Sequence, residues 1–108
     1  MASEQTWEHV RAIVARLDTA NGTDPDEIAM RLLKVTEEAG EVAQAYIGMQ
    51  GQNPRKGTTH TRGDVAVELC DVILSAMVAL HSFDDAPAQL LTIAARQTAE
   101  RLHRPVGS

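Results

Sequence analysis

Aromatic side chains are scarce in this chain of 108 residues, with one Trp, one Tyr and one Phe making up 3% of it. Apolar residues still account for 44%, which excludes a disordered polymer. The core therefore has to come from Ala, Val, Leu, Ile and Met, a palette that suits packed helices. Cysteine is nearly missing as well. Cys70 alone allows no internal disulfide, which fits a reducing compartment, and its place in an apolar run predicts a small buried hydrophobe. Positive charge is in deficit: the net charge of −5 argues against the basic face that a nucleic-acid polymer needs. Long apolar runs are missing too. The longest, from Val72 to Leu80, is too short to span a bilayer. The opening "MASEQTWEHVR" carries acids and no apolar stretch of the signal-peptide kind. These absences predict a soluble, cytoplasmic protein with no membrane and no nucleic-acid polymer among its partners.

What is present reads as four helices in one domain over residues 1–108, with no strand-like alternation. The first is expected over about Glu4–Ala20, with Trp7, Val10, Ile13, Val14 and Leu17 at three- and four-residue steps. "NGTDP" breaks it. Thr23 or Asp24 can cap the second, Pro25 suits its first turn, and it runs to about Gln50. Its seam reads Ile28, Leu32, Val35, Ala39, Val42, Tyr46 and Met49, the spacing of bundle packing. After the polar loop "GQNPRKGTTHTRGD", Thr61 and Asp64 resemble a capping box for a third helix over about Arg62–Ser82. "FDDAP" starts a fourth, reaching about His103, with Ala88, Leu91, Ala94, Ala95 and Leu102 inward; the tail 104–108 is expected to be loose. A chain this short buries a modest core alone. An all-α four-helix bundle completed by homodimerisation, or by a dimer of dimers, is the expected architecture.

The third helix carries the chemistry. At roughly 100° per residue, Asp64, Glu68, Asp71 and Ser75 fall within an arc of about 60°. Almost everything else on this helix is apolar, so it reads as a central, buried helix with one narrow polar stripe. Buried carboxylates need partners, because an isolated ionised one is very costly in a low-dielectric site. The second helix answers with "KVTEEAGE": Lys34 against Glu37, Glu38 and Glu41. In an antiparallel hairpin Glu38 and Glu41 lie roughly 14–18 Å before the turn, and Glu68 and Asp71 roughly 9–14 Å after it, at about 1.5 Å per residue. The two pairs can face each other. Four carboxylates with one nearby cation repel unless a cation is bound or protons are taken up.

Oxygen-only ligands suit a hard ion, Mg²⁺ or Mn²⁺. A di-iron bundle would need Glu-x-x-His pairs, and neither acidic pair has a His three residues on. A carboxylate-held divalent ion typically binds phosphate oxygens and orients water. Lys34, Arg55 and Lys56, with Arg62, are the cations available to bind an anionic substrate; Trp7 and Tyr46 are the candidates to stack on a base.

"LLKVTEEAGEVAQAYIG" followed by "VAVELCDVILSAMVAL" resembles the MazG-like all-α nucleoside triphosphate pyrophosphohydrolases, over residues 28–80. "GQNPRKGTTHT" is similar to the loop of short stand-alone MazG-like proteins. The resemblance implies that Glu38 and Glu41, of an "ExxE" motif, and Glu68 and Asp71, of an "ExxD" motif, bind Mg²⁺. It implies that water attacks between the α and β phosphates of a nucleotide, releasing pyrophosphate and the monophosphate. Glu37 and Glu38 would be the catalytic doublet, Glu37 serving as a further metal ligand or as a base for water. Lys34 matches the family's frequent lysine. The family's basic, Asn-containing C-terminal segment has no match in "RQTAERLHRPVGS". The alternative is a bundle that senses nucleotides or binds a partner without turnover.

Overall fold

Short polar side chains cap the starts of the first three helices. Ser3 accepts from the backbone of Thr6, Asp24 from that of Glu27, and Thr61 from that of Asp64. At Thr61 the bond is returned, because the Asp64 carboxylate accepts from the Thr61 N–H at 2.9 Å. This reciprocal capping box holds the Asp64 carboxyl below its usual range. In the computed structural model, which describes residues 3–104, four helices follow: α1 (Glu4–Asn21), α2 (Pro25–Gln50), α3 (Arg62–Leu80) and α4 (Pro87–Leu102). Among the described residues there is no strand, and no helix is long and apolar enough to cross a membrane. The expected tail lies outside the described residues beyond Arg104.

α2 and α3 form a hairpin, the main packing unit of the fold, with α1 laid against α3. The intervening loop folds back on the end of α2. Thr59 N–H donates to the Gly48 carbonyl at 3.0 Å, and a side chain at Gly48 would collide with the His60 ring. Gly51 closes α2 in the left-handed conformation. The core sits at the other end of the hairpin, where Trp7 and Val10 of α1 meet Met77 and Val78 of α3. Ala88 and Leu91 dock the first turns of α4 there. The His81 ring lies tilted against Trp7 with ring centroids 5.9 Å apart, and burial pushes its pKa down, with Arg11 adding to the effect.

The structure corrects three expectations. The α2 seam contains Ile28, Val35, Val42 and Met49 as read, but its deepest positions are Arg31, Glu38 and Ala45, not Leu32, Ala39 and Tyr46. The helix is rotated so that two ionised side chains go inward. Cys70 is exposed, because it lies on the side of α3 turned away from α2. α4 is docked only by its first turns, so Ala94, Ala95 and Leu102 are exposed rather than inward.

Arg31 ties α1 to α2. Its Nε donates to Glu27 at 2.9 Å, and its Nη2 lies 3.0 Å from the Asp18 carboxylate and donates to the Gly22 carbonyl at 3.3 Å. Burial opposes its charge, yet Glu27 and Asp18 more than offset this and raise its pKa. Removing one member of a buried pair leaves the other uncompensated. Asp18 keeps 41% of its side chain in solvent, which limits the cost. Arg31→Ala is expected to destabilise the fold by about 2 kcal/mol, read from urea midpoints. A loss below about 0.5 kcal/mol would mean that the pair does not hold α1 in place.

Candidate metal centre

Two helices bring five carboxylates together. Glu37, Glu38 and Glu41 come from two turns of α2, and Glu68 and Asp71 from one turn of α3. One carboxylate oxygen each from Glu38, Glu68 and Asp71 lies within 4.8 Å of the others, and the same holds for Glu37, Glu38 and Glu41. Glu38 belongs to both groups and is their centre, with 7% of its surface exposed. Its rotation into the seam of α2 is what lets the two acidic pairs meet.

The charges around this centre do not balance. Lys34 Nζ contacts Glu37 at 2.7 Å and Glu38 Oε1 at 3.0 Å, and these two partners push its pKa up. The other Glu38 oxygen, Oε2, is buried without a hydrogen-bond partner, and so is Glu68 Oε2. A hydrogen bond with Glu68 and the charge of Glu38 raise the pKa of Glu41, which gives up its proton less readily than a free carboxyl. Orphaned carboxylate oxygens within ligand reach of one another are a poor arrangement for a bare protein, because each costs desolvation and repels its neighbours. They are a good arrangement around a hard cation, which takes carboxylate oxygens as ligands. The residues present fit a divalent ion.

A cavity of about 720 Å³ opens beside these carboxylates, between α1, α2 and α3. Glu38, Asp71 and Lys34 line one end, with Ser75 next to Asp71. It extends toward Glu27, eleven residues before Glu38, or roughly 16 Å along the helix at about 1.5 Å per residue. Ile13, Leu17, Met30, Leu74 and Val78 give it apolar walls. At the far end Asn21 Nδ2 donates to Glu27 Oε2 at 3.4 Å, beside Arg31. An elongated cleft with one charged end, apolar walls and a few polar groups at the other end can hold a small molecule with an anionic head.

The other residues singled out from the sequence lie elsewhere. Lys56 lines a separate cavity of about 470 Å³ with Gln44, Gly48 and His60, which shares no lining residue with the first. Arg55 is exposed in the same loop, its N–H donating to Asn53 Oδ1 at 3.0 Å. Trp7 is core, and Tyr46 is exposed outside the cavity lining. Arg31 and Asn21 went unnoticed in the sequence reading. The signal for Arg31 was its seven-residue spacing from Glu38, which puts both on one helix face.

The repulsion has a thermal consequence. In EDTA, Glu68→Gln is expected to raise Tm, since it removes one charge from the cluster, a relief on the order of 1 kcal/mol. Mg²⁺ is expected to raise the Tm of the wild-type protein and to do so less in this variant. A variant less stable than wild type in EDTA would show that Glu68 is satisfied within the bare protein.

No family model, curated protein or solved structure matches the chain.

Proposed function

We propose that this protein is a Mg²⁺-dependent nucleotide pyrophosphohydrolase, with Mn²⁺ as the natural substitute, of the MazG-like kind that its two acidic motifs resemble. One observation carries the reading. The buried Glu38 carboxylate has an unpartnered oxygen within ligand reach of Glu68 and Asp71, at the charged end of an elongated cleft. Glu38, Glu41, Glu68 and Asp71 would hold the ion. A divalent ion bound there supplies neutralisation of phosphate oxygens and acidification of water.

The chain's own residues do the rest. The cleft receives the nucleoside part along α2, where apolar walls exclude water and Asn21, Ser75 and Arg31 offer hydrogen bonds. Lys34 offsets part of the carboxylate charge, so that an anionic substrate meets a less negative wall. Glu37 has 60% of its side chain in solvent beside Lys34 and is the acid best placed to accept a proton from water. Lys56 lines the other cavity, Arg55 is exposed in the same loop, and neither has a part in this proposal. The protein works as a homo-oligomer, in keeping with the large surface left uncovered on one chain.

Pyrophosphate release from a panel of canonical and modified nucleotides, with Mg²⁺ or Mn²⁺, tests the reading. Turnover of at least one nucleotide is expected, falling more than about 100-fold in kcat/KM in both Glu38→Gln and Asp71→Asn. Absence of turnover across the panel, with Mg²⁺ still raising Tm, would replace the enzyme by a bundle that senses nucleotides. Turnover that survives both substitutions would place the chemistry elsewhere.

A further inference from the structure

The far end of the cleft is lined by Asn21 of α1 and by Glu27 and Arg31 of α2. The contacts among these three fix which atoms each has left to offer. Glu27 Oε2 accepts twice, from Arg31 Nε at 2.9 Å and from Asn21 Nδ2 at 3.4 Å. A carboxylate held by a guanidinium accepts and does not donate, so the Asn21 amide turns its nitrogen toward Glu27 and its oxygen away. Arg31 directs Nη2 to Asp18 and to the Gly22 carbonyl. Among the described residues nothing bonds to Glu27 Oε1, Asn21 Oδ1 or Arg31 Nη1. This end of the cleft therefore offers two acceptors, one of them charged, and a donor that the fold does not use.

Bases differ in the same kind of pattern. Adenine and cytosine carry an exocyclic amino group beside an unprotonated ring nitrogen, a donor next to an acceptor. Hypoxanthine and uracil carry a carbonyl beside a ring N–H, which is the reverse. An amino group has two hydrogens, one for Glu27 Oε1 and one for Asn21 Oδ1, and the ring nitrogen beside it can accept from Arg31 Nη1. A carbonyl in its place faces both acceptors and leaves them unpaired. A site made of such groups rejects the analogue that cannot pair with them more strongly than it rejects a change of size.

We infer that the cleft selects its nucleotide by the amino group of the base, and that Glu27 and Asn21 are the residues that read it. The inference rests on the nucleotide reading of the cleft and adds the substrate class: adenine or cytosine nucleotides over their deaminated counterparts. The length of the cleft agrees. Roughly 16 Å of α2 separates Glu27 from Glu38, at about 1.5 Å per residue, which sets the phosphates at the carboxylates and the base at Glu27. One atom decides the sign of the preference. In Glu27→Gln the side-chain oxygen has to stay where Arg31 and Asn21 donate to it, so the amide nitrogen takes the place of Oε1 and donates into the cleft.

The pairs ATP and ITP, and CTP and UTP, differ between amino and carbonyl at this edge and test the inference in two ways. One is kcat/KM for pyrophosphate release with Mg²⁺. The other is the Kd of their α,β-methylene analogues, which cannot be cleaved between those phosphates. In the pair that the protein handles better, the amino member is expected to be preferred by at least about 30-fold. Glu27→Gln is expected to reverse the order, and Asn21→Ala to cut the preference at least about 3-fold. Turnover without preference in either pair overturns this inference alone and leaves the pyrophosphohydrolase standing. Preferential binding of the amino analogues without turnover supports it and removes the enzyme. No binding of any nucleotide overturns both. A preference that Glu27→Gln leaves unchanged overturns the inference as well. Should Glu27→Gln fail to fold, Asn21→Ala decides: a reduced preference supports the inference, and an unchanged one overturns it.

Discussion

Glu38 is ionisable, nearly buried, and surrounded mostly by its own kind. Two more acids of α2 and two of α3 crowd it, and the nearby Lys34 already divides itself between Glu37 and Glu38. The bare protein raises the pKa of Glu41 and leaves oxygens of Glu38 and Glu68 without partners. Both are costly in a partly desolvated site. A bound hard cation would relieve both costs. The rotation of α2 that buries Glu38 also sets Arg31 inward and Tyr46 outward.

The rest of the fold holds this arrangement from its ends. The Thr61–Asp64 box starts α3 at the loop end, and Gly48 lets that loop close on α2. At the other end, Arg31 binds Asp18 and Glu27 while Trp7, Val10, Met77 and Val78 form the core. Between these anchors the cleft remains open beside the carboxylates. The core lies at one end only, and the back of α3 and most of α4 are uncovered on a single chain. A small aliphatic palette, with one Trp to anchor it, completes a compact interior by association more readily than alone.

Much of this was legible in the sequence, for reasons that are local. Helix starts announce themselves through Pro25 in the first turn of α2 and through Asp24, Thr61 and Asp64, whose capping bonds reach residues three positions away. The meeting of the acidic pairs follows from helix rise and one turn, so counting residues was enough. The α2 seam was half legible. Ile28, Val35, Val42 and Met49 are apolar and were found, but Arg31 and Glu38 occupy core positions as paired or clustered charges, and a pattern built on apolar residues steps past them to Leu32 and Ala39. Cys70 and the inner face assigned to α4 failed for a different reason. An apolar residue declares that it needs cover without declaring whether its own chain provides it. Arg55 and Lys56 looked like phosphate ligands by charge, but the loop that carries them turns back on α2 and lines a separate cavity.

Equilibrium Mn²⁺ binding, followed by loss of the free-ion paramagnetic resonance signal, tests the central claim most directly. Wild-type protein is predicted to bind at least one Mn²⁺ per chain without nucleotide, with Mg²⁺ competing. Asp71→Asn, which keeps the shape of the side chain and removes its charge, should weaken binding at least about 10-fold. A wild-type chain that binds no ion, or an Asp71→Asn chain that binds as tightly as wild type, would contradict the claim that these carboxylates are held together by a cation.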